Sequence, residues 1–560
     1  MNYLRLCSVF AVCLGASAQL TKDQKVADFM QLSAVFAKNY TAYEWKRDVL
    51  KYDLLDIKPW LDRIAQSKDD LDFYAICADY VARLQDGDSQ YIVLSDFTAD
   101  LRFSVDIYDG KVLVDGIDRQ ALSSRTFPFQ VGDELVSVDG KTADELVQAF
   151  TGLNTWSNPV ARRRLGAQLI TFREQDILPR AHEIGDTAKV VILRQSGAME
   201  SYDIPWVKTG TPLLGVGPVP SPKSVNQKAS PRLATALSGD MATVNVGALN
   251  RDTTGFEGPK ATPFPGFFPL FNPPDSFRLR LGASLSDAIV TGTYKSGDVT
   301  LGYVRLPTLA LSAAGQRQFQ TEIAFFQQNT DGLVIDIMGV ASANFCTEQS
   351  LLTFLIPRPF AAMGYQVRAT EFWLNRYAAN LQGAIDARAD QWIIDSFAAS
   401  LKAVQQAYAE KGGKTGTLPF CAANLTWQPA TDASGAVTAY TKPITVLTDE
   451  ISIGDVFAAM LQDEGRAQIV GQRTSGLGGG GAQYFAGNFS EGVVVVNINT
   501  LIRNRLITTS DFPTTPFLEN VGVRPDVTVE FQTKDNLLTG GKPFVDAITA
   551  AAVAWVKKNQ

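Results

Sequence analysis

Histidine is almost absent: the 560 residues contain one, His182. Imidazole is the usual base near neutral pH and the commonest metal ligand, so mechanisms needing a histidine pair or a histidine-rich metal site are excluded. Cysteine is scarce as well, with five in the chain, too scattered for a zinc cluster. Basic residues do not dominate. Lys and Arg number 51 against 58 Asp and Glu, a net charge of −7, which is the wrong sign for a phosphate-backbone ligand, and nucleic acid is not an expected partner. Beyond the N-terminus no stretch holds 18 consecutive apolar residues, so no membrane span is expected in the mature chain. The glycine-rich run Gly476–Gly481 lacks the Gly-Lys-Ser/Thr ending of a phosphate loop. No cofactor and no metal are expected.

What is present supports a large folded protein. Apolar residues make up 46%, with 32 Phe, enough for several packed units. Met1–Ala18 reads as a secretory signal: Arg5 supplies the positive region, Leu6–Gly15 the apolar stretch and Ala16-Ser17-Ala18 the small-residue cleavage site. The expected location is therefore periplasmic or extracellular. Cleavage would remove Cys7 and Cys13 and leave Cys77, Cys346 and Cys421. At most one disulfide can then form. Cys346 with Cys421 is one arrangement and three buried thiols another, and spacing does not decide between them.

Periodicity divides the chain into a signal (1–18), a helical unit (19–95), a small β unit (96–208), a Pro-rich linking and covering segment (209–295) and an α/β core (296–560). Val26, Phe29, Met30, Leu32 and Phe36 recur at helical spacing. After Asp96 the period falls to two, and Gly132-Asp133 and Asp139-Gly140 mark turns between strands. The order of strand, Gly-Asp turn, strand and short helix resembles a PDZ domain. Thr211–Pro231 and Pro259–Pro274 are Pro-rich and bracket a strand-like run at Ala242–Val246. From Ser296 strands and helices alternate. Leu333-Val334-Ile335-Asp336-Ile337 is apolar at nearly every position, as a parallel strand buried on both faces requires.

Three segments of the core carry a family resemblance: Asp331-Gly332-Leu333-Val334-Ile335-Asp336, Ser452-Ile453-Gly454-Asp455 with Phe457-Ala458-Ala459-Met460, and Ile469-Val470-Gly471-Gln472-Arg473-Thr474-Ser475-Gly476. With Leu518-Glu519-Asn520-Val521-Gly522 they resemble the C-terminal-processing (tail-specific) serine peptidases, in the branch of the tricorn core and chlamydial protease-like activity factor. The resemblance implies a crotonase/Clp-protease-like α/β core with an N-terminal helical cap and an inserted PDZ-like domain. It also implies hydrolysis of a polypeptide substrate through Ser452, with the PDZ-like domain presenting a strand by β-augmentation. Ser452 takes the nucleophile position, where a helix N-terminus offers free N–H groups for an oxyanion, although a serine there is also an ordinary helix cap. Ser342, Ala343 and Ile453 fall at the oxyanion positions and Glu519 at that of the histidine-orienting carboxylate.

The chain departs from the pattern where the chemistry lies. The family's histidine position, after an Asp-Gly pair, is Asp88 in Asp86-Gly87-Asp88, and the lysine base of the wider family is replaced by Leu477. A carboxylate near pKa 4 accepts a serine proton far less readily than imidazole near 6.5, unless burial raises it. His182 lies outside the motif. The paired glycines of the oxyanion loop give way to Met338-Gly339-Val340-Ala341-Ser342-Ala343. Impaired catalysis is expected, and the alternative is a pseudopeptidase that binds peptides or acts as a scaffold. Oligomeric state is not legible in the sequence.

Overall fold

The computed structural model describes residues 19–214, 243–245, 251–253, 255–258, 267–410, 413–421 and 425–559. The signal segment and most of the Pro-rich stretches lie outside these residues. Where sequence analysis places a helical unit there are four helices, Lys22–Asn39, Tyr43–Asp48, Lys58–Ala65 and Asp70–Ala82. Thr21 opens the first with a reciprocal capping box to Gln24. Helix does not persist to Leu94. Gln90–Val93 is a strand and pairs antiparallel with Gly492–Val495, a partner that local periodicity cannot reveal. This pairing draws the preceding Asp86-Gly87-Asp88 turn into the C-terminal part of the chain.

The β unit holds its own apolar core, from Phe103 and Val114 through Leu135 and Leu146 to Ile192 and Ile204. Its sheet runs in the order Phe256–Glu257, Lys111–Asp118, Glu134–Val138, Thr187–Leu193, Met199–Pro205, with Phe103–Tyr108 also paired to Lys111–Asp118. Two helices follow its Asp139-Gly140 turn, Ala143–Thr151 and Pro159–Gln168. The second packs against both the first helix and the strand Phe103–Tyr108. Its Arg164 and Gln168 reach Asp106 of that strand at 2.8 and 3.1 Å. Phe103–Tyr108 is thus covered, and the exposed end of the sheet is Met199–Pro205.

The core sheet orders its seven strands as Arg278–Leu281, Val290–Ser296, Val299–Arg305, Gly332–Asp336, Ile444–Thr448, Ala467–Gly471 and Val527–Thr528. From Val299–Arg305 onward the pairing is parallel, with Ile335 opposite Val446 and Val446 opposite Ile469. Side chains alternate between two apolar layers. Leu333, Ile335, Val446 and Ile469 face one layer, while Val334, Leu447 and Val470 meet Phe544, Ile548 and Val556 of the C-terminal helix Lys542–Asn559 in the other. Both faces are covered, which explains the continuous apolar runs. Because the strands are parallel, the loops after Asp336, Thr448 and Gly471 gather at one end of the sheet, where sites form in such folds.

Cys346 and Cys421 form a disulfide with Cα atoms 5.4 Å apart, and Cys77 is a buried free thiol. The bond fastens the start of the helix Phe345–Leu352, just beyond the loop after Asp336. Among the described residues no helix is long and apolar enough to cross a membrane.

Candidate active site

Ser452 lies in the turn between Ile444–Thr448 and the helix Asp455–Asp463, and its side chain is fully buried. It is not the helix cap, a position taken by Gly454. A Cβ at Gly454 would lie 2.7 Å from the Ile337 Cδ1 and 2.9 Å from the Leu309 Cδ1, so a larger residue there would have to displace these two side-chain ends. The Ser452 hydroxyl donates to the Ile337 carbonyl at 2.7 Å. A hydroxyl has one proton to donate, and here it is committed to the backbone.

The surrounding N–H groups are committed as well. Ile453 donates to the Val340 carbonyl at 3.0 Å, and Gly339, with φ +64°, donates to the Asp449 carboxylate at 2.9 Å. Ser342 and Ala343 lie in the short strand Ser342–Asn344, which pairs with Thr243–Asn245 and bridges to Leu309. Asp449 is fully enclosed. Burial, and next the charge of Glu450, raise its carboxyl to about 7, and its second oxygen has no partner. Glu450 accepts from Arg164 at 2.9 Å, so the turn before Ser452 is tied to the PDZ-like unit.

Asp88 lies among charged groups, Asp86 and Glu519. Its backbone N–H donates to Asp86 at 2.9 Å, and its carboxylate accepts from the Gly479 N–H at 2.9 Å. No hydrogen bond links Asp88 with Ser452 among the described residues. Burial pushes the Asp88 carboxyl well above its ordinary range, and the charges of Asp86 and Glu519 push it further. Glu519 pairs with Lys46, both side chains fully buried, and Lys46 also donates to Asn520 at 2.7 Å and to the Gln85 carbonyl at 3.2 Å. Burial, followed by the charge of Asp86, raises Glu519 to about 8 despite Lys46. Asp86 accepts from the Tyr40 hydroxyl at 2.7 Å and from Asn497 at 3.2 Å.

Asp86, Asp88 and Glu519 each place a carboxylate oxygen within 4.8 Å of the others. They could hold a divalent cation only if Lys46 gave up Glu519, because the ammonium already supplies the compensating charge. Leu477, at the alternative base position, is buried with its side chain against Gly87. His182 takes part in none of this: its ring nitrogen meets Gln175 at 2.9 Å and its ring packs edge-on to Phe97. The sequence reading named Ser452, Asp88 and Glu519 but missed Lys46, Asp86, Asp449 and Arg164. Only Asp86 carried a signal, as the other acid of its Asp-Gly-Asp turn.

Residues 382–529 match peptidase family S41 and residues 98–211 match the PDZ domain. The S41 match falls within the α/β core and includes Ser452 and Glu519. An uncharacterized protein of Chlamydia muridarum (strain MoPn / Nigg) is 23% identical over 94% of this chain and 92% of its own length. A protein of Chlamydia trachomatis serovar D is 22% identical over 93% of this chain and 91% of its own. Mature CPAF, solved in complex with lactacystin, superimposes with a TM-score of 0.73 at 18% identity, covering 96% of this chain and 99% of that one. The chain therefore has a CPAF-like fold, with a PDZ match inserted at residues 98–211.

Proposed function

We propose that the chain is an exported serine-type peptidase of the C-terminal-processing family whose catalysis through Ser452 is impaired. The observation that carries this reading is the Ser452 hydroxyl, which donates to the Ile337 carbonyl and meets no base among the described residues. An unassisted serine hydroxyl is a weak nucleophile, and loss of one triad member typically costs orders of magnitude. Asp88 occupies the base position, yet burial holds its proton. The polypeptide ligand follows from the peptidase and PDZ matches. Pro159–Gln168 packs against Phe103–Tyr108, whereas Met199–Pro205 ends the sheet with no further strand beside it among the described residues, which supports it as an edge for an added strand.

A second reading, a pseudopeptidase that binds polypeptide without cleaving it, is favoured by the internal bonds of the Ile453 and Gly339 N–H groups. An oxyanion would find both donors occupied. Hydrolysis of fluorescein-labelled casein by the mature protein separates the two. Slow turnover that disappears in Ser452→Ala supports the impaired peptidase; turnover no greater than that of Ser452→Ala supports the pseudopeptidase. Rapid turnover dependent on Ser452 overturns both. In Asp88→His the missing base is restored, and turnover is expected to rise if the base is the principal lesion.

A further inference from the structure

Arg473 and Arg524 share one carboxylate. Arg524 donates to both oxygens of Asp511 at 2.6 Å. Arg473 approaches the same carboxylate only to 3.6 Å, beyond a hydrogen bond. The Nε and Nη2 groups of Arg473 and the Nε group of Arg524 are buried without acceptors among the described residues. The nearest other acid does not relieve this, because Asp455 gives its oxygens to Thr474, Ser475 and the Gly476 N–H. Burial, and then the like charge of Arg524, lower the Arg473 guanidinium to about 10. Two guanidiniums facing one carboxylate leave a positive charge and unmet donors in a half-enclosed place.

The surroundings suit a second carboxylate. The Arg473 guanidinium lies 6.0 Å from the centre of the Phe512 ring, which packs in turn against Trp45. With an aromatic ring on one side, the guanidinium favours in-plane, bidentate contact, the geometry that carboxylates match, and a carboxylate reaches its buried Nε and Nη2 groups once the side chains over them move aside. Side-chain exposure is 12% for Arg473 but 37% for Arg524 and 42% for Asp511, so the place opens toward solvent on the Arg524 side. It also adjoins the candidate site along the chain. Arg473 precedes Thr474 and Ser475, which hold Asp455, and the Ser475 N–H donates to the Ser452 carbonyl at 3.1 Å. The Arg473 carbonyl is held by Asn158 of the PDZ-like unit at 3.1 Å.

We propose that Arg473 and Arg524 form a carboxylate-binding subsite that takes an acidic side chain or a free chain terminus of the bound polypeptide. Only the identity of the ligand rests on the polypeptide reading; the affinity for carboxylate does not. Fluorescence anisotropy of the full chain with three labelled ten-residue peptides tests it: one with a glutamate and an amidated end, one neutral with a free terminus, and one neutral and amidated. Glutarate binding, followed by ligand-observed NMR, forms a separate arm. At least one carboxylate peptide is expected to bind about tenfold more tightly than the neutral amidated one, and which of the two does so identifies the source. Arg473→Gln should abolish that preference, and the neutral peptide should bind both proteins alike. The more exposed Arg524→Gln should weaken the preference without threatening the fold. Glutarate binding that depends on Arg473 while no peptide binds would uphold the subsite and overturn the polypeptide reading. Equal peptide binding with no Arg473-dependent glutarate signal would overturn the subsite and leave the polypeptide reading standing.

Discussion

The Ser452 side and the Asp88 side of the candidate site are both buried, yet they are solvent-free in different ways. Around Ser452 the hydroxyl and the backbone N–H groups are neutral and internally bonded, hydroxyl to Ile337 carbonyl and Ile453 N–H to Val340 carbonyl, with the Asp449 carboxyl beside them accepting from Gly339. Around Asp88 three carboxyls face one ammonium, that of Lys46. The first arrangement costs little because each donor lost to water has found an acceptor. The second is expensive and survives only through proton uptake and the Lys46 pair. A site can thus lose its chemistry on one side by becoming well satisfied, and keep a charged remnant on the other that still governs stability.

The largest effect should come from breaking the charged side. Lys46→Met strands Glu519 without its cation and is expected to cost about 3 to 5 kcal/mol, measured by urea unfolding of the mature protein. A loss below about 1 kcal/mol would mean that the carboxyls compensate one another by sharing protons. The pH dependence comes next. Glu519 titrates near 8 when folded against an ordinary 4.5, and Asp88 is raised in the same direction. Folding therefore takes up protons, so their contribution is most favourable at low pH and is lost as pH rises from about 4.5 toward 8. Melting temperatures across that window should fall more steeply in the parent protein than in Glu519→Gln. The smallest effect belongs to the other side: Ser452→Ala removes the hydroxyl's bond to the Ile337 carbonyl and the long one it accepts from the Gly454 N–H at 3.4 Å, both neutral, and should change stability by about 1 kcal/mol or less.

Much of the fold was legible because parallel strands must be apolar on both faces. Gly332–Asp336 and Ile444–Thr448 announce themselves in that way, and the glycine turns of the PDZ-like unit do so through their positive φ at Gly132, Asp139 and Gly140. The helix Pro159–Gln168 was missed because Arg162-Arg163-Arg164 interrupts apolar periodicity, and Arg164 faces inward only because Asp106 and Glu450 await it. Lys46 was invisible for a related reason. Its partners lie 473 and 474 residues away, and an isolated lysine in a helix reads as a solvent-facing residue. The motif singles out Ser452 and Glu519 by position and carries no sign that the Ser452 hydroxyl is committed to Ile337.

The central claim is that Ser452 lacks the activation its position implies. Incubation of the mature protein with a fluorophosphonate probe, followed by intact mass, tests it directly. The expected result is no adduct beyond that seen with Ser452→Ala. A stoichiometric adduct in the parent protein, absent from Ser452→Ala, would contradict the account and show that the hydroxyl leaves Ile337 and finds a base.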